Sequence, residues 1–172
     1  MKEDTEQIDA LIDNFDTAML ITESLDGELR GRPMTIAGRE QGSILYFLSR
    51  ADDQKLEEVL QRSSVAVVMQ GSDQYLSISG VARLETDRVL IDKYWSAGAR
   101  LWFPDGSDDT AATLVVIEPT YAECWERAGI RKLEFWWEAG RALLTGEKAA
   151  DRSLGGHRKI KVRSPQSSEQ PD

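Results

Sequence analysis

Cysteine and histidine are almost absent from this sequence: Cys124 and His157 are the single representatives of each. A lone cysteine cannot close an internal disulfide, and one residue of each kind leaves too few soft ligands for a zinc site or a haem-attachment motif. Long apolar runs are missing too. Nowhere do about 18 apolar residues follow one another, the least a membrane-spanning helix needs. The start, Met1-Lys2-Glu3-Asp4-Thr5-Glu6, is acidic and polar where a secretory leader would be basic and then apolar. A cytoplasmic protein with no membrane partner is therefore expected. Positive charge is in deficit, 21 Lys and Arg against 30 Asp and Glu, which gives a formal net charge of −9. Nucleic-acid backbones attract clustered cations and are repelled by acidic surfaces, so nucleic acid is not an expected partner. The chain also lacks a Gly-x-Gly-x-x-Gly turn after a strand, a phosphate-binding loop, a nucleophile elbow and paired histidines. Hydrolases and nucleotide triphosphatases drop out with them.

What is present suits one domain: 172 residues, 41% of them hydrophobic, can bury a core without covalent staples. Between Thr5 and Phe15, the residues Ile8, Leu11, Ile12 and Phe15 recur at helical spacing among carboxylates. From Thr17 the pattern changes to short β-rich runs over 18–22, 32–37 and 43–49, separated by Asp26-Gly27 and by Arg39-Glu40-Gln41-Gly42, which reads as a meander of hairpins. Residues 52–62 return to helical spacing, with Leu56, Val59 and Leu60 on one face and Glu57, Glu58 and Gln61 on the other. Two further strands are expected over 64–70 and 75–85, the second alternating through Leu76, Ile78, Val81 and Leu84, and a short helix over 87–95. The stretch 98–109 reads as a loop from its Pro, Gly and Asp content, and 112–117 and 131–137 read as closing strands.

Residues 1–146 then form the domain, and residues 147–172, polar and basic with His157-Arg158-Lys159-Ile160-Lys161, form an extended or flexible tail too poor in apolar surface to offset ordering entropy. Six to seven short strands with few helices give a mainly β (α+β) class, a barrel with peripheral helices rather than a doubly wound sheet.

One grouping of cations stands out. Arg30 and Arg32 flank the start of the second strand, while Ser49, Arg50 and Lys55 follow the end of the third and open a helix. If these two strands are hairpin neighbours, guanidinium, ammonium, hydroxyl and helix N-terminal amides converge on an anion site. Solvated surface charges would have the same spacing, and spacing alone does not decide between the two.

Arg32-Pro33-Met34 on the second strand, Leu45-Tyr46-Phe47-Leu48-Ser49 on the third and Lys55 at the helix start resemble the pyridoxamine 5'-phosphate oxidase-like flavin split barrels, most nearly the general stress protein 26 group. Trp102-Phe103-Pro104-Asp105-Gly106, Ala122-Glu123-Cys124-Trp125 and Ala142-Leu143-Leu144-Thr145-Gly146 resemble later signatures of that group in the same order. The resemblance implies an antiparallel split β-barrel that holds FMN between the two subunits of a homodimer. It implies that Arg32 and Lys55 hold the flavin phosphate and that groups of Pro33, Met34, Phe47, Leu48 and Ser49 line the ring and ribityl chain. Trp102 would approach from the partner subunit. The oxidases of the family carry a second arginine and lysine set for their vitamin substrate; no comparable cluster precedes the tail here, so oxidation of pyridoxamine phosphate is not expected.

The function expected is that of an FMN-dependent oxidoreductase of the general stress type, with NAD(P)H as a candidate reductant and no metal. No residue stands out as its acid or base. The alternatives are a flavin-binding protein that stores or senses without turnover, or a deazaflavin- or haem-binding barrel. The five tryptophans, Trp95, Trp102, Trp125, Trp136 and Trp137, are chiefly core or interface residues by their size. Cys124, with no basic neighbour, is not expected to be a reactive thiolate.

Overall fold

In the computed structural model, which describes residues 2–126 and 157–161, a single antiparallel sheet curls into a split half-barrel. Helix α1 (Lys2–Ile12) precedes β1 (Thr17–Glu23) and β2 (Leu29–Thr35); then come β3 (Gly38–Glu40), β4 (Ile44–Arg50) and α2 (Gln54–Gln61). Next are β5 (Ser64–Gln70), β6 (Gln74–Glu85), α3 (Arg88–Lys93), two 3-10 turns over Ala97–Leu101 and Gly106–Asp108, β7 (Ala112–Glu126) and β8 (His157–Lys161). The strand order is β2-β1-β5-β6-β7-β4-β3, with β8 also on β7. The expected strand 131–137, the motif 142–146 and the domain boundary at 146 lie outside the described residues.

Alternation decides which side chains fill the barrel. Ala18, Leu20, Val65, Val67, Met69, Leu76, Ile78, Leu45 and Phe47 point inward, and α1 closes the barrel with Ile8, Leu11 and Ile12. β4 and the first half of β7 are apolar on both faces because both faces are covered. Tyr46, Leu114 and Val116 turn outward into a second cluster with Ile91, Tyr94, Ala99 and Phe103 from α3 and the turn after it. The loop read from Pro, Gly and Asp content over 98–109 thus contributes packed residues.

Several sequence expectations shift. Val81 faces outward and Ala82 inward, because the strict alternation from Leu76 runs through Gly80. Pairing slips there, between Ser79 and Gly80, where β7 carries one residue more at Thr120. A Cβ at Gly80 would sit 2.6 Å from the Glu118 carbonyl oxygen, so the bulge needs glycine. In α2 the exposed and buried positions exchange: Leu60 is 72% exposed and Glu58 only 1%. Residues 157–161, expected in a flexible tail, form β8 beside Tyr121–Trp125 of β7; Ile160 is buried in the barrel core and Lys159 Nζ lies 3.0 Å from Glu123. Strand pairing satisfies their backbone and the alternate Ile160 supplies the apolar contact.

Candidate functional site

The second strand does not pair with the third long strand. β2 pairs with β1 alone, and β4 pairs with β3 and β7, so the hairpin imagined between Arg32 and Ser49 does not exist. Instead the chain crosses between sheet ends after Thr35: the Ile36 amide donates to Asp16 O on the β1 side, and the next amide, Ala37, donates to Tyr46 O of β4. β2 and β4 remain within 8 Å at their nearest Cα positions. The unpaired edge of β2 and the part of β4 beyond β3 therefore border the split.

Helix α2, packed against β1 and β6, carries Lys55 and, through Glu58, also holds Arg32. Arg30, Arg32 and Met34 form the inward row of β2. Arg32, its side chain 24% exposed, donates from Nη1 to Glu58 Oε2 (2.9 Å) and from Nη2 to Glu58 Oε1 (3.0 Å), an end-on fork. Nη1 also donates to Thr22 Oγ1 at 2.7 Å, and that hydroxyl donates to Glu58 Oε2 at 2.6 Å. Arg30 Nη1 reaches Glu58 Oε1 at 3.5 Å while its Nη2 lies 3.3 Å from Asp26 and 3.6 Å from Glu28. The Arg32 bond outweighs burial, with Thr22 and Arg30 adding to it, so the Glu58 carboxyl lies below its ordinary value.

Lys55 stands one turn before Glu58 on the same helix. Its ammonium, on a side chain only 7% exposed, pairs with Asp53, and its backbone amide donates to Asp53 Oδ1 at 3.1 Å as the helix N-cap. Burial pushes the Asp53 carboxyl up, but the Lys55 bonds and the nearby Arg32 charge outweigh it, leaving it below its ordinary value. Arg32 and Lys55 thus share one electrostatic neighbourhood through Asp53, which pairs with Lys55 and feels the Arg32 charge.

The other expected residues separate by face. Ser49 is buried at the last inward position of β4, and its hydroxyl makes only a 3.5 Å contact to Arg50 O. Met34 and Phe47 are in the barrel core, so toward a ligand in the split they have main-chain groups to offer rather than side chains. Leu48 packs on the outer cluster, and Pro33 is exposed on the outer face beside Met19. Trp102 is 70% exposed, and its carbonyl accepts from Arg50 Nη1 at 3.3 Å. Thr22, Asp53 and Glu58 are the members that sequence reasoning missed; Glu58, three residues from Lys55, shares its helix face, a signal that the apolar wheel overrode.

This donor set fits a phosphate. The end-on grip of Glu58 uses Nη1 and Nη2, and the Nε–Nη2 edge of Arg32 has no partner among the described residues. That edge is a second fork, and the Lys55 ammonium, whose partner Asp53 feels the Arg32 charge, is a further donor.

Residues 3–151 match the family model described as "Pyridoxamine 5'-phosphate oxidase like". The chain belongs to the pyridoxamine 5'-phosphate oxidase-like family. Within this family it falls in the general stress protein 26 group: it is 30% identical to general stress protein 26 of Bacillus subtilis over 98 residues, 54% of this chain and 68% of that one. It is 28% identical to protein bli-3 of Neurospora crassa over 93 residues, 52% of this chain and 44% of the other, so the match spans less than half of that protein. The crystal structure of a general stress FMN/FAD binding protein from Xanthomonas citri is similar at 26% identity with a TM-score of 0.63, over 76% of this chain and 97% of that one. The family's split barrel is the fold described above.

Proposed function

We propose that this chain binds FMN at the split between β2 and β4 and serves as a flavin-dependent oxidoreductase of the general stress type. The observation that carries the reading is the convergence of Arg32 and Lys55 beside α2, with one guanidinium fork left over for an anion. Arg32, Lys55 and Ser49 would hold the phosphate. The main chain around Pro33-Met34 and Phe47-Leu48, on the strands that border the split, would face the ribityl chain and ring. The similarity to the Xanthomonas citri protein supports a flavin, and a phosphate monoester suits a small cluster of cations better than a long dinucleotide does.

A homodimer belongs to this reading, with Trp102 reaching the flavin of the partner. In its support, the outer face of β2, β1, β5 and β6 carries two uncharged rows, Pro33-Met19-Val68-Ser77 and Gly31-Ile21-Ala66-Ser79. Such a largely apolar face beside the open edge of β2 suits a second copy. No helix among the described residues is long and apolar enough to cross a membrane; a cytoplasmic site of action is part of the proposal.

Bound flavin would supply hydride chemistry, with NAD(P)H as the reductant; the protein supplies binding and orientation. The carboxylates beside the cations, Glu58 and Asp53, are both held below their ordinary values and are ionised at neutral pH, so neither is poised as a general acid. That favours, as a second reading, a protein that stores or senses flavin without turnover. The absorption spectrum of the purified protein separates flavin from deazaflavin and haem. Stopped-flow mixing of the FMN complex with NADH and NADPH then tests the enzyme: bleaching of the flavin band is expected, and no reduction by either donor would leave only the binding role.

A further inference from the structure

Each of the two cations assigned to the phosphate already has a carboxylate, and both carboxylates come from one rigid element. Glu58 grips Arg32 through two hydrogen bonds and is itself fixed by the Thr22 hydroxyl and by Arg30; Asp53 holds both the ammonium and the amide of Lys55. The two pairs are formally neutral where a dianion would approach. Arg30 adds little positive charge, since Asp26 and Glu28 flank it on the other side. We propose that Glu58 and Asp53 are specificity-determining residues, resident counter-ions that offset the charge Arg32 and Lys55 present to a ligand phosphate and make its binding exchangeable rather than permanent. The inference rests on the flavin reading above.

The local structure does not itself require these charges. Asn caps a helix as well as Asp does, so the negative charge of Asp53 goes beyond what capping α2 demands. A buried ion pair often contributes no more than an apolar pair of similar volume, so stability alone does not account for Glu58 beneath Arg32. What both carboxylates do is oppose a second anion at short range, where the local dielectric makes like charges costly.

The test titrates flavin-free protein with FMN and with riboflavin, which lacks the phosphate, following flavin fluorescence in the wild type, Glu58→Gln and Asp53→Asn. Each variant is expected to raise FMN affinity on the order of tenfold while leaving riboflavin affinity unchanged, and to steepen the loss of FMN binding with added salt. Asp53→Asn keeps its cap and carries the test by itself if Glu58→Gln does not fold. Equal or weaker FMN binding by folded Asp53→Asn overturns the proposal, as does a change in riboflavin affinity that keeps step with FMN, the mark of a purely structural role. FMN and riboflavin binding equally in the wild type and equally in Asp53→Asn overturns the proposal and removes the phosphate from this site, while a bound flavin remains. A wild type that binds neither overturns the flavin reading, and the proposal with it.

Discussion

Arg32 has two tasks, to neutralise Glu58 below it and to present its other edge to the split. Replacing it therefore has two separable effects. Arg32→Ala leaves the carboxylate of Glu58, 1% exposed, with Thr22 and a more distant Arg30, and the expected cost is about 3 kcal/mol, read as a lower urea midpoint. Lys55→Ala removes the other cation and is expected to weaken FMN binding by about 1.5–3 kcal/mol, with riboflavin binding preserved. Unchanged FMN affinity in folded Lys55→Ala would remove Lys55 from the site. Of this network the sequence disclosed the cations and not their partners. Arg32, Ser49 and Lys55 could be singled out through the family resemblance, whereas Glu58 sits at a helix position that an apolar wheel assigns to water. It is buried because β2, separated from α2 by β3 and β4, places a guanidinium over it, a tertiary fact whose one local trace is the helix face it shares with Lys55.

Between elements, one carboxylate ties the end of α3 to β3 and β4. Glu40 accepts from Lys93 Nζ (2.6 Å), Tyr94 Oη (2.7 Å) and Tyr46 Oη (3.1 Å), while the two tyrosine rings stack at 4.1 Å. Lys93 first and Tyr94 next hold the Glu40 carboxyl down to about 2, and burial with the Glu40 charge pushes the Tyr46 phenol up to about 12. Because the folded value of Glu40 lies below the ordinary 4.5, its contribution is complete above that pH and is lost as pH falls from there toward about 2. Glu40→Gln should accordingly be less stable than the wild type at neutral pH and approach it near pH 3, measured by urea unfolding. A constant difference across that window would disconnect Glu40 from acid sensitivity. The stacked ring also explains Gly38, where a Cβ would lie 2.5 Å from Tyr94. The helices and most strands were legible as periodicity, but this clamp was not, because Arg39-Glu40-Gln41-Gly42 looked like a turn. Glu40 closes a three-residue strand too short to show alternation.

For the molecule as a whole, the two uncharged rows of the outer face predict assembly. Val68→Glu should yield a monomer in sedimentation and weaken FMN binding while leaving the β-sheet circular dichroism intact; an unaltered dimer would place the interface elsewhere. The class, a mainly antiparallel barrel with helices at its rim, could be read from run lengths and turn residues. The connectivity could not, since the crossing at Ile36-Ala37, where successive amides serve opposite ends of the sheet, has no distinctive composition. The same was true of β8, whose basic residues give the look of a tail while a single isoleucine docks it.

That isoleucine bears on how the protein comes into being. Ile160 shares one core with Ile8, Leu11 and Ile12, so residues made early receive a neighbour made much later. Until the ribosome has delivered β8, the edge of β7 at Tyr121–Trp125 lacks that pairing. A nascent chain at this stage is expected to be vulnerable to strand-to-strand association with other chains, and a stall in translation just before His157 should prolong the exposure.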